Sequence, residues 1–140
     1  MAAYNKFNSF VEALAEKVHN LGADTLKVVL TNSAPVAGNT QLSNITQIAN
    51  GNGYTTGGAT VTVSASSQTS GTYKLVGSLV SPTWTASGTL GPFQYAVLYN
   101  DTATNDELIG WWDYGSPVSL TSGDTFTITL DGTNGILQIV

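Results

Sequence analysis

From residue 59 to the end of the chain, apolar side chains recur at alternate positions, and short groups of Gly, Asn, Ser and Pro interrupt them. Side chains on an extended backbone point to opposite faces in turn, so a period of two confines this stretch to strands that each bury one face. Val61, Val63 and Ala65 mark the first strand, Tyr73 and Leu75 the second, and Trp84, just past Pro82, a shorter one. Phe93, Tyr95, Val97 and Tyr99 share a face of the next, with Ala96 and Leu98 on its back, which predicts a central strand covered on both sides. The polar stretch 100–106 reads as a hairpin loop that pairs this strand with 108–112. Val118 and Leu120, then Phe126, Ile128 and Leu130, then 136–140 continue the pattern, divided by the turn signals Ser122, Gly123, Asp124 and 131–135. Short strands at this spacing predict a mainly β chain folded as an antiparallel β-sandwich or barrel.

Ahead of this region the period changes. Phe7, Phe10, Val11, Leu14, Val18 and Leu21 follow i, i+3, i+4, i+7 spacing, which predicts one N-terminal amphipathic helix over 7–21. Ser9 with Glu12 offers a capping box, and Gly22 stands where a left-handed C-terminal cap belongs. Glu12 and Glu16 precede Lys17 and His19, the order the helix dipole favours, and the helix is expected to lie against a sheet face. Residues 25–31 read as a strand with Leu26, Val28 and Leu30 on one face and Val29 on the other; Leu42, Ile45 and Ile48, spaced by three, read as a short helical turn. Gly51, Asn52 and Gly53, then Gly57 and Gly58, break the chain, with Tyr54 between them as a loop anchor. One helix has nothing of its own to bury against, so residues 1–140 form a single domain, a helix followed by a sandwich over 25–140.

Charged residues make up 9% of the chain and apolar ones 41%, so its surface must be built from Ser, Thr, Asn, Gln and Gly. Uncharged hydroxyls and amides lose their water more cheaply than Lys or Glu, which suits close protein contact. The net charge is -5, there is no arginine, and the four lysines, Lys6, Lys17, Lys27 and Lys74, are scattered. Phosphate neutralisation needs clustered cations, so no nucleic-acid partner is expected. No apolar run reaches the roughly 18 residues of a membrane span. The first five residues lack the basic-then-apolar pattern of a signal peptide, so synthesis in the cytoplasm is expected.

Chemistry finds few parts. The single histidine, His19, reads as a solvated side chain near a helix end, and without cysteine or a second histidine neither a thiolate or histidine-pair metal site nor a hydrolytic triad can be assembled. Asp106, Glu107 and Asp113 flank two tryptophans as in a sugar-cleaving cleft, yet such carboxylates need environments that separate their pKa values, and loop-tip acids are normally solvated. Residues 131–135 carry oxygen ligands but not the calcium-loop pattern, and read as a turn. The glycines fit no phosphate loop. No catalytic residue, cofactor or metal is therefore expected. What remains is aromatic: Trp111 and Trp112 are adjacent on a strand and must face opposite ways, so one needs a cover that could be the helix, a sugar or another protein. Trp84, Trp111, Trp112 and Tyr114 are the interface candidates.

Three stretches carry a resemblance: 95–101, 107–115 and 122–126, with Ile45 to Ile48, the glycines at 51, 53, 57 and 58, and the opening Tyr4, Asn5, Lys6, Phe7 fitting the same pattern. Together they resemble small virion structural proteins of tailed bacteriophages, some of them similar to capsid cementing or decoration proteins. The resemblance implies a jelly-roll-like sandwich and a homo-oligomer, dimer or trimer, bound to the major capsid protein on the outer surface of the shell. The alternative within the same virion is a tail-associated or host-recognition module that stacks sugars on Trp84 or Trp112.

Overall fold

The computed structural model describes residues 2–79 and 81–140. Its sheets are antiparallel and assemble as a β-sandwich, as the alternation predicts; the strand orders do not confirm a jelly-roll winding. The larger sheet is ordered β1 (Tyr4–Lys6), β8 (Leu108–Leu120), β7 (Leu90–Asn100), β2 (Leu26–Thr31) and β3 (Ala59–Thr60). Facing it are a three-stranded sheet, β10 (Leu137–Ile139), β5 (Thr72–Gly77) and β4 (Val63–Thr69), and a pair formed by β6 (Thr83–Thr85) and β9 (Thr125–Thr127).

The two periodicities of β2 explain why the larger sheet is covered twice. Leu26, Val28 and Leu30 enter the sandwich core with Leu98, Ile109 and Leu75, while Val29 enters a second cluster with Phe7, Val97, Tyr99 and Leu108. Leu42 and Ile45, on and beside a 3-10 turn at Leu42–Asn44, pack on that second cluster. Tyr54 anchors the following loop as expected: its buried hydroxyl donates to Gln47 Oε1 at 2.7 Å and accepts from the Leu30 amide at 3.4 Å. Gly58 requires its missing side chain, because at φ +76° a Cβ would stand 1.9 Å from the Val28 carbonyl oxygen where β3 crosses β2.

Several expectations are corrected. The helix α1 spans only Phe10–Ala15. At its start the Phe7 amide bonds to the Ile109 carbonyl at 3.2 Å, so the chain is still paired with β8, and Ser9 makes no side-chain cap. At its end Lys17 adopts φ +66°, with Val18 N bonded to Ala13 O at 2.8 Å and Lys17 N to Leu14 O at 3.3 Å. This is a Schellman ending built on lysine rather than on Gly22. Phe93 leaves the face of Val97 and Tyr99 and joins the sandwich core, because the β7–β8 ladder slips between Phe93 and Tyr95. The strand expected across 61–65 divides: Val61 bonds back to Leu26 at 2.9 Å, and the chain then crosses to pair with β5. Val118 and Leu120 belong to the far end of β8.

Candidate functional site

One row of side chains across the larger sheet, Leu30, Ala96, Trp112 and Tyr4, follows directly from the strand register. It floors a half-open cleft of about 340 Å³ between the two layers. Phe126, Ile128, Leu130 and Ile136 form the opposite wall, and Phe93 and Tyr114 close one end. The adjacent row, Val29, Val97, Trp111 and Asn5, faces away. The two tryptophans therefore divide the work as strand geometry requires. Trp111 is covered by its own chain, with its ring 4.5 Å from Phe7, whereas Trp112 contacts Tyr4 edge-on at 5.8 Å and lines the cleft.

Tyr114 reaches the cleft through a bulge. Asp113 pairs with Tyr95 and Val118 with Phe93, so residues 114–117 of β8 oppose Gln94 alone. Extra residues on one strand bend it and re-aim its side chains. Gly115, at φ +96°, donates its amide to Asp113 Oδ1 at 2.7 Å, and Gln94 Nε2 donates to the same oxygen at 2.9 Å, which pins the bulge. Tyr114 is 60% exposed, its ring 6.0 Å from Phe126. Trp84 does not belong here as a contact residue: it is 4% exposed inside the core, beside Phe126 at 6.2 Å.

The cleft carries little usable charge. Its one charged lining residue, Asp131, spends its carboxylate on its own turn, accepting from the amides of Thr133 and Asn134 at 2.7 and 2.8 Å and from Asn134 Nδ2 at 2.9 Å, which hold its carboxyl below the usual range. Tyr4 donates its hydroxyl to the Ile109 carbonyl at 3.4 Å, and burial pushes that phenol well above its ordinary value. The walls thus offer aromatic rings, methyl groups and uncharged polar atoms.

The carboxylates do not assemble. Six positions of extended chain separate Glu107 from Asp113, about 20 Å at 3.3 Å per residue, against the roughly 5–9.5 Å between the acids that flank a glycosidic bond. Glu107 bonds to Asn105, Asp101 pairs with Lys27 at 2.9 Å, and burial, then Asp101 and Glu107, raise the Asp106 carboxyl.

His19 is corrected from solvated to buried, at 4% exposure. Asn100 Oδ1 accepts from Thr102 N and Ala103 N at 3.0 and 3.2 Å, which turns its amide nitrogen toward Asp24 Oδ2 at 2.6 Å and His19 Nδ1 at 3.1 Å. Nδ1 is then an acceptor and the ring proton sits on Nε2, which has no partner. Desolvation lowers the His19 pKa, opposed by Glu107 and Asp24. This triad ties the turn after α1 to the end of β7 and reaches no cleft chemistry.

Tyr4 and Phe126 are the site residues that sequence reasoning missed; Tyr4 lies on a strand of only three residues, too short for periodicity to mark. Set against protein-family models, curated proteins and solved structures, the chain matches none.

Proposed function

We propose that this chain is a non-enzymatic capsid decoration protein of a tailed bacteriophage, binding the major capsid protein on the outer surface of the assembled head. The observation that carries the reading is the aromatic cleft of Tyr4, Trp112, Tyr114 and Phe126, open to solvent and without a free charge. Such a cleft suits an apolar side chain carried on a protein segment: aromatic rings supply buried area, and backbone can bond to the uncharged rim without stranding an ion. An ionic ligand would find no partner. The resemblance of 95–101, 107–115 and 122–126 to phage virion proteins supports reading the segment's owner as a shell subunit. A molecule that binds only the assembled shell stabilises it by mass action at every symmetry-related position, and a net charge of -5 gives it no attraction to packaged DNA.

Adding purified protein to undecorated shells, and reading occupancy with the temperature of rupture, tests the proposal. Saturable binding with a raised rupture temperature is expected, and Tyr114→Ala should lower occupancy; absence of binding to the shell refutes it. The exposed Tyr114 ring, which lines the same cleft as Trp112, Gln94, Thr127 and Thr129, also favours sugar stacking in a host-recognition module. A glycan array with Trp112→Ala as the control separates the two, because a protein-binding cleft is silent on every sugar.

A further inference from the structure

The sheets end in strands of very different length. β1, β6, β9 and β10 have three residues each, β1 ends on Lys6, and β3 has two. Short strands and edge lysines are the ordinary means of keeping a sheet from pairing with another chain. The edge strand β4 has none of them. It runs for seven residues, Val63–Thr69, with no charge, no proline and no large side chain beyond Gln68, and it is exposed from Ser64 onward.

The backbone of β4 is arranged to accept a further strand. Ser70 and Gly71, at φ +49° and +83°, close a two-residue hairpin between Thr69 and Thr72. The closing pair of such a hairpin exchanges both of its backbone hydrogen bonds, and bonded pairs then alternate along the ladder. Thr69, Ser67 and Ala65 therefore turn their amides and carbonyls inward to β5, while Gln68 and Ser66 turn theirs outward. The one irregularity lies between Val63 and Ala65, so residues 65–69 form a regular edge.

We propose that a second copy of this chain pairs antiparallel along β4, about a two-fold axis through Ser67. Ser66 then stands opposite Gln68 of the second copy, and Gln68 opposite its Ser66, so that four outward backbone hydrogen bonds form. The two three-stranded sheets become one six-stranded sheet. A second copy fits this edge because the register through Ser67 sets the outward donors of each copy against the outward acceptors of the other, and β4 itself is uncharged; Lys74, opposite Ser67 on β5, is drawn to the Thr133 carbonyl at 3.1 Å on the side of β10. β4 itself therefore brings no like charges into the pairing, even though each copy carries a net -5. Ile139, 39% exposed, and the half-buried Tyr73 lie on the same sheet beside Ser66, so apolar surface continues inward from this edge. The pairing does not depend on what the cleft of Trp112 binds.

At the axis Ser67 faces its own copy in the close, non-hydrogen-bonded geometry, where like charges directly opposite destabilise a pair and opposite charges support it. Sedimentation equilibrium on the full chain is expected to show a reversible dimer. Ser67→Lys sets two like charges opposite each other beside Lys74 and should weaken self-association several-fold, Ser67→Glu, whose carboxylate stands opposite Lys74 of its own chain, should weaken it less, and an equal mixture of the two should dimerise more tightly than Ser67→Lys alone. Recovery on mixing also establishes that both variants are folded. A wild-type chain that stays monomeric, a Ser67→Lys dimer as tight as the wild type, or a mixture no tighter than Ser67→Lys alone overturns the proposal.

Discussion

Acidification tests the buried His19 triad most directly. Asn100 cannot rotate its amide, because Oδ1 holds two backbone amides and Nδ2 is bonded to Asp24. A proton arriving on His19 Nδ1 would therefore face the Asn100 amide nitrogen 3.1 Å away, donor against donor. Losing that bond while keeping both groups buried costs roughly 1–3 kcal/mol. Asp24 and Glu107 return part of this to the charged ring, but desolvation prevails and the folded pKa lies below the ordinary 6.5. The unfolded chain thus takes up the proton first. Stability is full above about pH 6.5 and declines as pH falls below it, with a slope of at most about 1.4 kcal/mol per pH unit for one proton. The decline ends once the folded ring is itself protonated. The carboxylates with lowered pKa, Asp124 and Asp131, lose their contribution only at more acidic pH. Urea melts between pH 8 and pH 5.5 measure the effect, and His19→Gln, whose amide oxygen can accept from Asn100 without titrating, should flatten the profile. A wild-type slope that survives in His19→Gln, or stability that rises on acidification, would refute the assignment of the tautomer.

Other substitutions probe the packing. Gly58→Ala should cost about 2–4 kcal/mol, because its Cβ collides with the Val28 backbone. Gly71→Ala, equally left-handed but in open space, should cost only about 1–2 kcal/mol in the same urea titration. Lys17→Gly relieves a left-handed lysine at the end of α1 and should raise the melting temperature by about 2 °C, the strain removed exceeding the added freedom of the unfolded chain. Trp111→Ala should destabilise by about 1–3 kcal/mol, since its half-buried ring packs on the cluster against Phe7. Tyr114→Ala should change stability by less than about 0.5 kcal/mol, and calorimetry on both variants separates the packed ring from the exposed one.

The sequence carried the strands well because a period of two is written into side-chain order. The faces of β2, the β7–β8 hairpin, the helical turn after Gln41 and the Tyr54 anchor all follow from residues close in the chain. The opposite orientations of Trp111 and Trp112 required nothing beyond strand geometry. The helix was overextended because Phe7, Val18 and Leu21 keep the helical spacing for other reasons. Phe7 is buried beneath β8, Leu21 reaches the sandwich core from a turn, and Val18 is partly exposed just past the left-handed Lys17.

What the sequence by itself determined was composition and period: a mainly β chain, low in charge, with one histidine and no cysteine. Tertiary structure alone decided which aromatic ring is interior and which is exposed. Trp84 reads like an exposed anchor yet is buried, and His19 reads like a solvated end residue yet sits under Asn100. Tyr114 is exposed because a bulge lifts it out of register. Burial depends on which distant segment arrives above a side chain, and a bulge depends on a mismatch between two strands. Both are properties of pairs of segments, and local periodicity describes one segment at a time.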